Sequence, residues 1–272
     1  MESENNFKIE QFKSEVLREY DIRGIVDVNL SSNTAYTIGR TFGHILFAES
    51  SKKKIVVGYD GRITSPKLHN ALVAGLLESG LKVISIGLCP TPMVYFAHYH
   101  LDTDGAIMVT GSHNPSEYNG FKIVYKKNSF YADEIQNLQK IIQNLKSPEK
   151  KGSLDKLDIS KEYVARNLKN INLQKRLRIS WDIGNGSVGA VIDKFINKVS
   201  NADHFIINKE VDGTFPNHHP DPTVPKNMEQ LIENVISNSC DVGLAFDGDG
   251  DRLGVVDNEG SIVWADQYML LL

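Results

Sequence analysis

The chain has 272 residues, enough for two domains of ordinary size that each bury a core. Its 30 Lys and Arg against 34 Asp and Glu leave a net charge of −4, which gives no general attraction to nucleic acid, so any anionic ligand must be held by local cations. No run of about 18 apolar residues is present to span a membrane, and Met1 to Asn6 is acidic and polar where a secretory signal is basic and then apolar.

Residues 1–17 form a polar lead-in with one short apolar patch, expected to be only partly ordered. Arg18-Glu19-Tyr20-Asp21-Ile22-Arg23-Gly24 packs charges around Tyr20 and Ile22 in a segment too short for a helix, and taken alone it is a surface loop. Helical spacing runs from Asn33 to Phe47. A strand from Lys54 to Tyr59 ends at Asp60-Gly61-Arg62, and Ser65-Pro66 opens a helix with serine as N-cap and proline at its first position; Gly80 stops it. Lys82 to Ile86 is the next strand, and Pro90-Thr91-Pro92 starts a short helix. The two cysteines, Cys89 and Cys240, lie far apart in apolar segments, which fits reduced thiols in a cytoplasmic protein rather than a disulfide framework.

Gly105 to Val109 is a buried strand that ends abruptly in Thr110-Gly111-Ser112-His113-Asn114-Pro115. Gly111 lets the backbone turn and Pro115 biases Asn114 toward an extended conformation, so the Ser112 hydroxyl is held on a rigid loop at a strand's C-terminal end. Open α/β sheets bind ligands there. Phe121 to Tyr125 is another strand and Tyr131 to Leu145 an amphipathic helix, while Ser147 to Ser153 has the composition of a linker. The expected boundary falls there, giving units at 18–150 and 151–264.

The second unit starts with a helix near Ile159 to Leu168 and the strand Leu177 to Asp182. Gly184-Asn185-Gly186-Ser187-Val188-Gly189 then satisfies the three-glycine dinucleotide fingerprint, with Glu210 at a suitable distance for a ribose, yet so short a pattern is a weak signal. After the strand Asp203 to Ile207, His218 and His219 beside Asp221 invite a metal. Neighbours in extended backbone point opposite ways, which favours a structural loop. A helix from Pro225 to Ile236 leads to the strand Cys240 to Phe246 and the loop Asp247-Gly248-Asp249-Gly250-Asp251-Arg252. Arg252 to Asp257 and Ser261 to Trp264 form a hairpin turning at Asn258-Glu259-Gly260. Residues 265–272 begin an apolar helical pattern without closing signals, as the start of a third domain would. Strands alternating with helices imply mainly parallel, mixed sheets covered on both faces.

Asp247, Asp249 and Asp251 alternate with glycines, a spacing that lets three carboxylates converge on one ion. Carboxylate oxygens favour hard cations, Mg²⁺ above all when a phosphate shares the ion. An exposed acidic turn explains one or two aspartates, whereas three in alternation repel one another without a cation between them. A calcium hand fails, because it needs glycine at loop position six and an acid at twelve, where this chain has Arg252 and Asn258.

Thr110 to Pro115, Asn119-Gly120-Phe121-Lys122 and Asp247 to Arg252, in this order, resemble the α-D-phosphohexomutase family and within it the bacterial phosphomannomutase/phosphoglucomutase group. The resemblance runs from about Arg18 to the end of the chain. It implies two consecutive three-layer α/β/α domains, the first carrying the serine loop and the second the metal loop. It places Tyr20 and Arg23 at the phosphosugar, and completes the Mg²⁺ site of Asp247, Asp249 and Asp251 with a phosphate oxygen on Ser112. Phosphorylated Ser112 would give its phosphoryl group to a hexose monophosphate, and the resulting hexose 1,6-bisphosphate, which also serves as activator, would turn around and return its other phosphate. Arg23, Lys122 and Arg252 would stabilise the charge, and Lys122 and His113 are both candidates for proton transfer. Mutases of this family have third and fourth domains, for which no motif occurs here, so an N-terminal fragment that is inactive as it stands is expected. The alternative is a non-catalytic, metal-dependent phosphosugar-binding module.

Overall fold

The computed structural model describes residues 6–271; Met1 to Asn5 and Leu272 lie outside the described residues. Its first sheet has seven strands, β1 (Ile22–Ile25), β2 (Lys54–Tyr59), β3 (Lys82–Leu88), β4 (Gly105–Val109), β5 (Tyr118–Tyr125), β6 (Asn128–Ser129) and β7 (Ser153–Lys156). They lie in the order β1-β5-β4-β2-β3-β7, with β6 beside β5. β4, β2, β3 and β7 are parallel; β5 is antiparallel to β4, and β1 completes the sheet antiparallel to β5.

Side-chain alternation makes three layers of this sheet. Ile55 and Val57 face a core shared with helices α1 (Ser32–Glu49), α2 (Ser65–Glu78) and part of α4 (Asp133–Ile141), while Val56 between them faces α3 (Thr91–His100). Both faces being covered is why these strands are nearly continuous apolar runs. α1 starts on a capping box in which the Ser31 hydroxyl accepts from Thr34 N at 3.0 Å and the Thr34 hydroxyl accepts from Ser31 N at 2.9 Å. α1 and α2 cross so closely that a Cβ on Gly39 would lie 2.3 Å from Leu72 O and one on Gly75 2.3 Å from Tyr36 O.

The second sheet, β12-β11-β10-β8-β9, is smaller. β8 (Leu177–Asp182), β9 (Ala202–Ile207) and β10 (Val242–Phe246) are parallel; β11 (Leu253–Asp257) and β12 (Ile262–Val263) add an antiparallel edge. Trp181 and Ile183 pack on α6 (Ile192–Ile196), and Ala245 and Val256 pack on α7 (Glu229–Ser237). The remaining helices are α5 (Ser160–Leu168) and α8 (Ala265–Tyr268). The chain is thus two α/β/α units with mixed, mainly parallel sheets, as expected.

Four details differ from the expectations. The described part of the lead-in is packed: Phe12 and Val16 are buried, and Phe12 N donates to the Gln139 side chain at 2.9 Å, because this apolar patch covers α4 and the sheet edge. Ile22–Ile25 is an edge strand on β5, since its neighbour supplies a ladder that local pattern cannot reveal. Thr64, not Ser65, is the N-cap of α2; the Ser65 hydroxyl turns to Asp60 at 2.5 Å instead. Ser153–Lys156, just past the expected boundary, runs along β3 in the first sheet.

Between β2 and β4 the strand order reverses, and the crevice at their carboxyl ends receives the turn after β2 and the serine loop after β4. The helix crossing that braces this sheet gives the first prediction. Gly75→Ala gains about 1 kcal/mol of helix propensity but forces the crossing apart, and overpacking of this kind costs about 1–3 kcal/mol. The urea midpoint should fall; an unchanged or higher midpoint would show that the crossing relaxes freely.

Candidate active site

Ser112 sits on the loop after β4 with φ +52°, a left-handed conformation that an L residue holds only when its surroundings impose it. Here the agent is Arg62. Its guanidinium is fully buried and donates to four carbonyl oxygens of the serine loop: Ser112 at 2.8 Å, Asn114 at 2.5 Å, Pro115 at 2.6 Å and Tyr118 at 3.0 Å. Asp60 closes the same structure from below. Its carboxylate lies 3.2 Å from Arg62 Nε, and accepts from the Thr110 hydroxyl at 2.7 Å and from Gly111 N at 3.2 Å. Burial pushes the Arg62 pKa down while Asp60 and Asp249 push it back up. Residue pattern alone left Asp60-Gly61-Arg62 as the end of a strand; an acid and an arginine one residue apart at a strand's carboxyl end were the available signal.

Opposite this loop the second unit presents Asp247, Asp249 and Asp251, one oxygen of each within 4.8 Å of the others. Ser112 Oγ donates to Asp247 Oδ2 at 3.3 Å. Lys122, on β5, reaches Asp249 at 2.7 Å, Asp251 at 2.5 Å and Ser112 Oγ at 3.5 Å, and the Thr91 hydroxyl at the start of α3 also donates to Asp249. The glycines of the acidic loop allow its close approach to both units: a Cβ on Gly248 would stand 2.7 Å from Ser112 O.

Asp247 and Asp249 are 0% exposed, and their surroundings set them apart electrostatically. Burial raises the Asp247 pKa well above the usual carboxylate range, with Asp249 and Asp251 adding to the rise. Burial works the same way on Asp249, but Lys122 and the Thr91 hydroxyl more than reverse it and hold its pKa below the ordinary value. Burial lowers the Lys122 pKa, and the two aspartates overcome that and raise it, so the ammonium stays charged. Asp249 Oδ1 is buried without a hydrogen-bond partner among the described residues, which leaves a carboxylate oxygen to be satisfied by something else. Three converging carboxylates with an orphaned oxygen fit a hard divalent cation.

The other candidates divide. Arg23 is buried, ion-paired with Asp21 and hydrogen-bonded to the Asn114 side chain, so it touches the serine loop directly. His113 Nδ1 lies 3.5 Å from Ser112 Oγ; burial and then Arg252 push its pKa down. Arg252 donates its backbone N–H to Asp247 at 3.1 Å while its side chain is exposed. Tyr20 is 76% exposed and makes no side-chain hydrogen bond among the described residues. The Gly184 to Gly189 turn is occupied by protein: Ser187 N donates to Gly248 O at 3.0 Å, and a Cβ on Gly186 would meet that oxygen at 2.8 Å. The half-buried His218 binds the buried Asp182 at 2.9 Å, a pairing within the protein.

Comparison with known proteins identifies the two units. Residues 14–150 match the family model "Phosphoglucomutase/phosphomannomutase, alpha/beta/alpha domain I", and residues 161–260 match domain II of the same family. A phosphomannomutase/phosphoglucomutase of Pseudomonas putida is 42% identical over 256 residues, 94% of this chain and 55% of the relative. A phosphoglucomutase of Neisseria meningitidis is 39% identical over 94% of this chain and 56% of its own length. The crystal structure of a phosphoglucomutase/phosphomannomutase family protein from Burkholderia thailandensis superposes with a TM-score of 0.90 at 37% identity, covering 96% of this chain and 58% of that one. The chain therefore spans little more than half the length of the relatives it matches.

Two substitutions probe this arrangement. Arg62→Lys keeps a charge but cannot reach four carbonyls with one ammonium, so it should cost about 3–5 kcal/mol of stability, the scale for breaking a buried pair. Urea unfolding measures it, and a loss near zero would mean the loop holds itself. Asp249→Asn should weaken Mg²⁺ or Mn²⁺ binding by roughly tenfold or more, since ligand charge tunes such sites. Calorimetric titration giving equal affinities would remove the acidic loop as the cation site.

Proposed function

The chain belongs to the phosphoglucomutase/phosphomannomutase family, and from that membership we propose that it carries the phosphoryl-transfer half of a phosphohexomutase, with Ser112 as the residue that bears the phosphoryl group. The observation that carries this reading is the buried Ser112 hydroxyl, directed at Asp247 of the other unit and within 3.5 Å of Lys122. A module that only bound phosphosugars would have no use for a strained, buried hydroxyl among three carboxylates and an ammonium.

In the proposed reaction, phosphorylated Ser112 faces a free hydroxyl of a hexose monophosphate. The bond from phosphorus to Ser112 Oγ breaks as the bond to the sugar oxygen forms. The sugar hydroxyl gives its proton to His113, which burial keeps neutral near pH 7, and Lys122 gives a proton to the departing Ser112 oxygen. The product is a hexose 1,6-bisphosphate. After this intermediate turns around, the proton transfers reverse: Lys122 takes the proton back as Ser112 attacks the other phosphate, and protonated His113 returns its proton to the sugar oxygen. The net change is a phosphate moved between positions 1 and 6.

Arg23 and Arg252 supply positive charge beside the transferring group, Arg23 through its link to Asn114 and Arg252 from the end of the acidic loop. Asp247, Asp249 and Asp251 would hold Mg²⁺, which when bound neutralises negative charge on the transferring phosphoryl group. Tyr20, exposed at the edge of the first unit, is available for a sugar that bridges from Ser112 toward solvent.

Intact-mass analysis after incubation with glucose 1,6-bisphosphate should show a species one phosphate heavier, mapping to the peptide that contains Ser112. Ser112→Ala should abolish it with little effect on the urea midpoint, since one loop hydroxyl contributes little to a core. If the alanine variant took up phosphate at the wild-type rate, the assignment of the serine would be wrong.

A further inference from the structure

A second cavity, of about 570 Å³, opens at the carboxyl ends of β3 and β7, where the first unit meets α6 of the second. None of the side chains around Ser112 lines it, and its size falls within the roughly 300–1,000 Å³ of small-molecule sites. Its floor is polar. His69 on α2 is buried and pairs through Nε2 with the Ser85 hydroxyl of β3 at 3.0 Å. Its rim carries cations: Lys194 is held by Asp158 at 3.1 Å, whereas the ammonium of the exposed Lys156 has no ion-pair or hydrogen-bond partner among the described residues.

A buried histidine bonded to a serine is by itself a satisfied core pair. What distinguishes this one is its position below two lysines, only one of which has its charge met. Asp158 is already committed to the Ser160 side chain, to Ser160 N at 2.9 Å and then to Lys194, which hold its pKa down at about 2, so it stays an anion and leaves Lys156 uncompensated. His69, Lys156, Asp158 and Lys194 are the titratable groups lining the cavity apart from Tyr59 at its edge, and their balance is positive. The chain as a whole is negative, so this is a local exception. The cavity opens, like the serine loop, at the carboxyl ends of parallel strands, although the strand order of this sheet reverses between β2 and β4 and not here.

We propose that this cavity is a second binding site, for a small oxyanion such as a phosphate monoester or a carboxylate, with Lys156 as the charge at its mouth and the His69–Ser85 pair as its polar floor. The site is independent of the Ser112 chemistry, and its failure would leave that reading untouched.

The test follows the His69 ring signals by NMR in the 272-residue protein, assigned through His69→Gln, during titration with inorganic phosphate and separately with malate. A saturable shift with either probe is expected, and the probe that saturates tells phosphate from carboxylate recognition. Lys156→Glu should weaken the binding by about tenfold or more, since it removes one charge-assisted hydrogen bond and sets a like charge against the anion. Lys156 is exposed, so this variant should keep the wild-type melting temperature. Absence of saturation with both probes, or equal binding by Lys156→Glu, overturns the proposal.

Discussion

The site depends first on the Arg62 guanidinium and the carbonyl oxygens it gathers. A left-handed serine costs on the order of 1–2 kcal/mol, and a loop of polar backbone buried between two units would leave several carbonyls unsatisfied. Arg62 removes both difficulties at once, because a planar fork with fixed donors can collect acceptors that point inward from a tight turn. Asp60 fixes the guanidinium and the start of the loop together, and it is itself anchored by Ser65 at the start of α2. The direction of the Ser112 hydroxyl is therefore set by residues some fifty positions earlier in the chain.

The second dependence is electrostatic and runs across the two units. Three aspartates within 4.8 Å, two of them buried, cannot all be ionised cheaply, and the first unit answers with Lys122 and Thr91. The answer is uneven: Asp249 is held anionic while Asp247, which faces the serine, has its pKa raised. Even with Lys122 in place the cluster keeps an excess of negative charge, and an added phosphate of about two charges would deepen it. Serine loop and acidic loop thus share one charge balance, although neither sheet shares a strand with the other.

Much of this was legible in the sequence because it rests on local signals. β2, β4 and β8 begin and end where their apolar runs do, and the Gly-spaced aspartates announced a convergent loop. Ser112 could be singled out because its loop follows the end of a strand and occurs together with Asn119-Gly120-Phe121-Lys122 and the acidic loop. What was hidden depends on partners distant in sequence. Ile22–Ile25 becomes a strand only because β5 presents a free edge, and Ser153–Lys156, at the end of the stretch with linker composition, shows no strand pattern because its four residues are exposed and take their order from β3 alone. Arg62 was passed over for a related reason: a cation after a strand is ordinarily solvated, and only the burial of the turn turns it into a clamp. Phe12 and Val16 lay in a stretch too polar on average to suggest that two of its residues enter the core.

β7 and α5 carry one more consequence. Because β7 is hydrogen-bonded to β3 and Tyr163 of α5 packs on Phe96 of α3, with ring centres 5.7 Å apart, while Lys194 of α6 reaches Asp158 at 3.1 Å, the connection between the units is fastened to both of them. Only residues 169–176 then lead into β8. With so short a leash, the acidic loop meets the serine loop as a tethered partner at an effective concentration on the order of millimolar or above. Contacts too weak to hold two separate proteins together suffice to keep these loops apposed, and movement between the units changes how often the loops meet, never whether they can find each other again.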